Sequence, residues 1–275
     1  MIRIGIIGAG PNAQGHAQYY HQSPRARVAA IADVARDRAQ ALAGEVHAQA
    51  VSDYTQFLDD VDAVVVSSPN FLHREQAIAS AQAGKHVYCE KPMGLNLRDA
   101  HNIADAVNTA GVKSTVGFAT RFGRDVQTMQ RLARDGELGE LISVCSRRLG
   151  FIDPGQGASW RSDHTLSGGL LYEINIHEID WMMALGGEVK SVYARTWAQE
   201  STSERSNDHL FVTLAFAAGA TGLHEGSWLS SNPQYFRSIE GTRAGASTDE
   251  GMPLSCSRSR AQSRAATSAI PPAQA

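Results

Sequence analysis

Glu173, His177 and Asp180 stand at i, i+4 and i+7 in the stretch Gly168-Gly169-Leu170-Leu171-Tyr172-Glu173-Ile174-Asn175-Ile176-His177-Glu178-Ile179-Asp180. That spacing predicts one shared helical face. A histidine steadied by a neighbouring carboxylate can take the proton of a substrate hydroxyl as the hydrogen on the same carbon departs. Lys91, within Glu90-Lys91-Pro92, is the second candidate. Its ammonium can hydrogen-bond that hydroxyl, stabilise developing alkoxide charge, or relay the proton, with Glu90 orienting the lysine and Pro92 fixing the backbone after it. Two other readings compete, a solvated ion-pair ladder and a metal site. No second ligand cluster accompanies these residues, so no metal is expected.

A second set of residues suits a dinucleotide. Gly8-Ala9-Gly10-Pro11-Asn12-Ala13 is a GxGxxA fingerprint between an apolar segment and a helical one. Gly8 permits a tight turn, Gly10 a close approach of backbone to pyrophosphate, and Ala13 close packing of helix on strand, while the helix N-terminus supplies amide donors. Asp33, at the end of the next strand, sits where a carboxylate would accept from both adenosine ribose hydroxyls and repel a 2′-phosphate. NAD is therefore the expected cofactor, with NADP kept open by Arg36 and Arg38. Ser67-Ser68-Pro69-Asn70 comes directly after the strand at 62–66, at the edge where such sheets meet ligands. His73 either faces the cofactor or packs on its own helix. The expected cofactor contacts are Gly8, Gly10, Pro11, Asn12, Ala13, Asp33, Arg38, Ser67, Pro69, Asn70, His73, Glu90 and Lys91.

These residues need a scaffold, and the apolar pattern supplies one. Short Val/Ile-rich runs at 2–7, 28–32, 62–66, 86–89 and 113–118 alternate with helical stretches at 11–22, 35–44, 70–84 and 96–110, the last opened by Asn96 as N-cap. This predicts an α/β unit, a doubly wound parallel sheet over residues 1–120. Next along the chain come a helix at 121–135, a strand at 140–149, a polar loop at 151–167 and a helix at 168–185. Alternating segments at 189–199, 208–217, 219–229 and 234–241, with turn signals at Ala218-Gly219 and Asn232-Pro233, predict an α+β domain with a mostly antiparallel open sheet over 121–245. Residues 246–275, rich in Ser, Arg, Ala and Pro, read as a disordered tail, and the second domain reads as shortened.

Taken together, the motifs resemble the Gfo/Idh/MocA family of sugar and cyclitol dehydrogenases. The resemblance runs from Met1 to about Thr242, and rests on the fingerprint, the Ser-Pro-Asn turn, the Glu-Lys-Pro motif and the Gly-Gly…Glu…His…Asp helix. It implies an NAD(P)-dependent oxidoreductase with a Rossmann domain and a substrate domain. Lys91 and His177 would move protons and Glu173 would orient His177 or a substrate hydroxyl, with Lys91, Arg121, Glu173 and His177 meeting the substrate. It further implies that Trp160 and Arg161 lie against the cofactor and that the open sheet pairs copies of the chain. The family usually has Asp where Glu173 stands and Gly where Asn175 stands, which marks a subgroup. A cofactor-binding sensor, or an inactive shortened homologue, are the alternatives on the same scaffold.

Composition agrees with such a protein. The chain has 275 residues, 43% hydrophobic and 19% charged, with 25 Lys+Arg against 28 Asp+Glu for a formal charge of -3. It can bury a core without disulfides and has no electrostatic reason to seek nucleic acid or an anionic membrane. Cys89, Cys145 and Cys256 are widely spaced, and no apolar segment at the N-terminus is long enough for an anchor or shaped as a signal peptide. A cytoplasmic protein is expected.

Overall fold

The computed structural model describes residues 1–151, 160–198, 208–249 and 254–258. The chain divides into two compact units, Met1–Phe118 with Ser159–Gly168, and Ala119–Ala158 with Gly169–Ala275.

The first unit is built on β1 (Ile2–Ile7), β2 (Ala26–Ala32), β3 (Gln49–Val51), β4 (Ala63–Val66), β5 (His86–Cys89) and β6 (Ser114–Val116). Their order is β3-β2-β1-β4-β5-β6 and every pair is parallel. Parallel strands need crossovers, here α1 (Pro11–Gln22), α2 (Arg36–Glu45), α3 (His73–Gln82) and α4 (Leu97–Ala110). Asn96 caps α4 as its position predicts, accepting from the Asp99 amide at 2.9 Å, and Gly111 closes it at φ 64°. Both faces of the sheet are buried: Val64, Val66 and Val87 pack under Phe57 and Ile103 on one side, and Ile4, Ile6 and Val65 under Ala13, Ala17 and Leu42 on the other. β3 escapes the sequence pattern because three residues are too few to show a period.

The strand order reverses between β1 and β4, so the loops leaving them diverge and open a crevice at the carboxyl edge. Backbone hydrogen bonds between neighbouring strand ends align the loops at this edge. The Gly8 amide donates to Ala32 O at 2.8 Å, Ser67 to Ile7 O at 2.8 Å, Glu90 to Val66 O at 2.9 Å, and Gly117 to Cys89 O at 2.8 Å.

The second unit holds a seven-stranded sheet of β7 (Leu141–Phe151), β8 (Val189–Trp197), β9 (His209–Phe216), β10 (Thr221–Ser227), β11 (Leu229–Gly241), β12 (Ala244–Asp249) and β13 (Ser255–Arg258), in the order β13-β12-β11-β7-β10-β9-β8. Its pairs are antiparallel except β7 with β10, which is parallel. On one face, α5 (Arg124–Arg134) and, after the short α6 (His164–Ser167) of the first unit, α7 (Ile176–Gly186) bring Met129, Leu132, Trp181 and Met182 into a core with Val144, Leu210, Leu214, Phe216 and Ile239.

Two expectations change here. Asn232-Pro233 is not a turn between strands but lies inside β11, where the register skips from Leu229 to Gln234; proline has no N–H to give the ladder, so the strand bulges there instead of ending. The tail expected from 246 contains strand residues as well: β12 pairs with β11 and β13 with β12. Small polar side chains show no apolar period, yet backbone pairing does not require one. The rest of that tail, like most of the 151–167 loop, lies outside the described residues. Among the described residues, no helix is long and apolar enough to cross a membrane.

The first unit's packing has a single large ring at its centre. Phe57 is wholly buried, and a Cβ on Gly5 of β1 would overlap its ring. Phe57→Ala should therefore lower unfolding free energy by about 3–5 kcal/mol, and Gly5→Val should destabilise through overpacking, both read from urea unfolding.

Candidate functional site

The fingerprint turn has the geometry a dinucleotide needs. Gly8 has φ 98°, and a Cβ there would stand 2.5 Å from Ser67 O, so only glycine fits between the β1 and β4 loops. Ala13 is completely buried against the sheet. Gly10 caps α1 without a side-chain hydrogen bond and Pro11 occupies its first turn, which leaves the amides of Asn12 and Ala13 beside the helix dipole. Such a turn and helix start have the form of a dinucleotide cradle.

Asp33 is tied into the same turn. Its Oδ2 accepts from the Ala9 amide at 2.9 Å and its Oδ1 from the Ala35 amide and Arg38 Nη2, both at 2.8 Å. Burial alone would raise this carboxyl; the bonds from Arg38, Ala35 and Ala9 outweigh it and hold the group below the ordinary carboxylate range. A carboxylate offers about four lone-pair sites, and three are filled from within the protein. The expectation of two ribose hydroxyls on Asp33 is thereby reduced to one while Arg38 stays in place.

Next along the edge come the β4 and β5 loops. His73, one of the expected cofactor contacts, is buried, with Nδ1 2.7 Å from Pro92 O and Nε2 3.0 Å from Ser68 O. Both partners are acceptors, and burial pushes the imidazole toward its neutral form, which donates to one at a time. His73 thus fixes the two loops to each other instead of presenting a nitrogen to a ligand. Asn70 is also buried, its amide donating to Ser167 O at 2.8 Å.

Glu90 accepts at Oε1 from His16 Nε2 at 2.8 Å and from the Tyr88 hydroxyl at 3.4 Å, and also from the Lys91 backbone N–H. Burial would raise its carboxyl, but His16 and Lys91 outweigh burial and hold it low. Glu90 therefore steadies the lysine through its backbone. His16, in the second turn of α1, was absent from the expected set, although its i+3 distance from Ala13 puts it on the strand-facing side of the helix.

In the second unit the His177 motif is not one regular helix. Leu171–Asn175 form a π-turn and α7 begins at Ile176, so the 3.6-residue period that would put Glu173 and His177 on one face does not carry through. Asp180 belongs to Arg121, which donates from Nε at 2.6 Å and Nη2 at 2.5 Å. This bidentate pair engages Nε and Nη2 of Arg121, one of the residues expected to meet substrate. Glu173 and His177 are both half-buried.

The acid that anchors the helix is Glu178, missed in the motif. It is wholly buried and accepts from Arg237 Nε at 2.8 Å and Nη2 at 2.7 Å, and from Arg148 Nη1 at 3.4 Å. The Arg237 guanidinium also lies over the Tyr235 ring, 4.4 Å from its centroid, and 5.6 Å from that of Trp181. The signal was available: period-2 alternation sets Arg237 on the core face with Ile239 and Arg148 with Val144, and a core-facing arginine calls for a buried acid. Nearby, buried Asn175 fills the space that Gly226 leaves. In the first unit Trp160 and Arg161 lie in one helical turn, with the guanidinium stacked 4.5 Å from the indole centroid. Among the described residues, no three His, Cys, Asp or Glu side chains group to hold a metal.

The family model for oxidoreductases with an NAD-binding Rossmann fold, GFO_IDH_MocA, matches residues 2–118, and its C-terminal domain model matches 126–247. The chain belongs to the Gfo/Idh/MocA oxidoreductase family. Like the family, it is an oxidoreductase with an NAD-binding Rossmann domain. A 2,7-anhydro-N-acetylneuraminate hydratase of Escherichia coli is 29% identical over 255 residues, 90% of this chain and 68% of its own. A myo-inositol 2-dehydrogenase of Thermotoga maritima is 32% identical over 236 residues, 82% of this chain and 68% of its own. Among solved structures, the WlbA dehydrogenase from Bordetella pertussis in complex with NADH and UDP-GlcNAcA matches with a TM-score of 0.84 and 27% identity, covering 90% of this chain and 73% of that one.

The buried pair predicts a non-additive result within this Gfo/Idh/MocA chain. Glu178→Ala leaves Arg237 without its carboxylate and should cost about 3–5 kcal/mol. Glu178→Leu combined with Arg237→Met should recover most of that loss, measured as a double-mutant cycle in chemical unfolding.

Proposed function

We infer that this protein is an NAD-dependent dehydrogenase of a secondary alcohol on a sugar or cyclitol. The observation that carries this reading is the carboxyl-edge ladder, which sets the Gly8 cradle, the Ser67 turn and the Glu90-Lys91 turn in a row on adjacent strands. The family's relatives that act on inositol and sugars support the substrate class. When bound, nicotinamide accepts the carbinol hydrogen with its electron pair. Lys91, its backbone N–H held by Glu90 and the carbonyl of the next residue by His73, hydrogen-bonds the reacting oxygen and stabilises charge there. His177 takes the hydroxyl proton at its ring, and Glu173 orients the ring or a neighbouring substrate hydroxyl. Trp160 and Arg161 cover the cofactor. Residues 1–120 form the cofactor domain and 121–245 the substrate domain, in a cytoplasmic protein. The exposed Phe211 and Leu223 on the open sheet face favour pairing of copies through that sheet.

The test is steady-state oxidation of a panel of inositols and sugars with NAD, read from reduced-nicotinamide absorbance. Lys91→Ala and His177→Ala should each lower kcat by about 10²- to 10⁴-fold with the Kd for NADH within a few-fold of the parent. NADH binding without turnover on any polyol would replace this reading with that of a cofactor-binding sensor. A separate measurement addresses the ribose: Asp33→Ser should weaken NAD by about tenfold or more and narrow the ratio of kcat/KM for NAD over NADP. An unchanged ratio would remove Asp33 from cofactor selection.

A further inference from the structure

The helix-facing side of the second unit's sheet carries a charge that the proposed hydride and proton transfers leave unused. Alternation places Arg148 on the same face of β7 as Val144 and Ser146, and Ser146 lies under α7 with its hydroxyl 3.9 Å from Met182 Sδ. Two guanidiniums there share one carboxylate. Arg237 takes both oxygens of Glu178 in close geometry, while Arg148 reaches Oε1 at 3.4 Å, the oxygen that already accepts from Arg237 Nη2 at 2.7 Å. Among the described residues this is the only hydrogen bond of the Arg148 side chain.

Asp208, wholly buried and in phase with Leu210 and Val212 of β9, is the other carboxylate on that face, yet the Arg148 side chain hydrogen-bonds Glu178 instead. His224, which hydrogen-bonds Ser146 across the sheet at 2.8 Å, has its pKa lowered to about 4 by burial, so it adds no charge and takes none away at neutral pH. Burial pushes the Tyr235 phenol up, and the phenol stays neutral too. Asp180, on the same helix, is engaged by Arg121. Of the two guanidiniums on Glu178, Arg148 is the more weakly held and the more accessible: its side chain is 33% exposed and that of Arg237 only 7%.

Its location links it to the His177 end of the helix. Arg148 is in register with Gly226 of β10 and Tyr235 of β11. Gly226 abuts Asn175 of the π-turn, two residues before His177, and Glu178 is the residue after His177. An arginine one-third exposed, its guanidinium 5.2 Å from the Tyr235 ring centroid and its carboxylate mostly taken by a neighbour, has donors left for an incoming anion, and its planar fork matches carboxylate and phosphate oxygens.

We propose that Arg148 binds an anionic group, a carboxylate or a phosphate, on the protein's sugar-type ligand. That the ligand is the substrate rests on the dehydrogenase reading, which this inference narrows to acidic or phosphorylated sugars.

The test is equilibrium binding of D-glucuronate, D-glucose 6-phosphate and D-glucose to the full chain saturated with NAD, by calorimetry. At least one of the two anions should bind about tenfold or more tightly than glucose; which one does so separates carboxylate from phosphate recognition. In Arg148→Gln that advantage should vanish while the Kd values for glucose and NADH stay within a few-fold. Arg148→Lys should keep part of it, since it retains charge without the fork. No advantage for either anion, an advantage that survives Arg148→Gln, or an equal loss for glucose would overturn the proposal. Anion selectivity without NADH formation would leave the Arg148 site standing and remove the dehydrogenase reading instead.

Discussion

Everything placed at the cofactor edge depends on one constraint, that the residue just past each central strand gives its amide to the last carbonyl of a neighbour. Gly8 is held by Ala32, Ser67 by Ile7, Glu90 by Val66 and Gly117 by Cys89. Because parallel strands pair in fixed register, these bonds leave no freedom for one motif to slide past another. The side chains then lock the loops laterally: His73 spans the Ser68 and Pro92 carbonyls, and Glu90 is gripped by His16 from the helix that the fingerprint begins. A ligand meeting Gly8 therefore meets a surface whose neighbouring loop, carrying Lys91, is fixed by backbone geometry before any ligand arrives.

The second unit solves its positioning problem with buried charge, at a cost. Desolvating Glu178 and Arg237 is unfavourable, and a pair of apolar residues would serve packing as well. What the ion pair adds is direction. Two parallel N–H···O bonds at 2.7 and 2.8 Å fix rotation of α7 against β11, where a Leu-Met contact would tolerate sliding. Since Glu178 adjoins His177, and the π-turn just before it loosens the helical register, a directional bond at this position limits the wobble that the irregular turn would otherwise pass to the histidine.

How far the chain's sequence foretells its structure depends on which forces set each element. The Rossmann strands were legible because burial on both faces makes continuous apolar runs, as at Ala63–Val66, and the fingerprint because sterics at Gly8 admit one residue type. The parallel pairing of β7 with β10 leaves no local trace, since neighbour identity is set by the whole sheet. Asn232-Pro233 misled because a proline that bulges a strand and one that ends it look alike in sequence. The helix carrying Glu173 and His177 was misread for a related reason: a π-turn is a tertiary accommodation, here of buried Asn175 against Gly226, and propensity says nothing of it. Arg148 and Arg237 were readable in principle, by alternation, but an arginine in a strand is ordinarily taken for a surface residue.

Asp33 shows why a residue's family role and its local role need not be separate. A carboxylate that only read ribose would be free to move and would lose entropy on binding. Here two of its bonds go to the amides of Ala9 and Ala35, so the carboxylate proposed to meet the ribose also closes the fingerprint turn, and on that reading cofactor affinity and turn geometry become one property. Arg38 holds the third lone pair from a largely exposed position, where its retraction costs little. On the proposed ribose role, the same arginine would occupy Asp33 in the free protein and yield its place to a second hydroxyl, which keeps the carboxylate preorganised without blocking it.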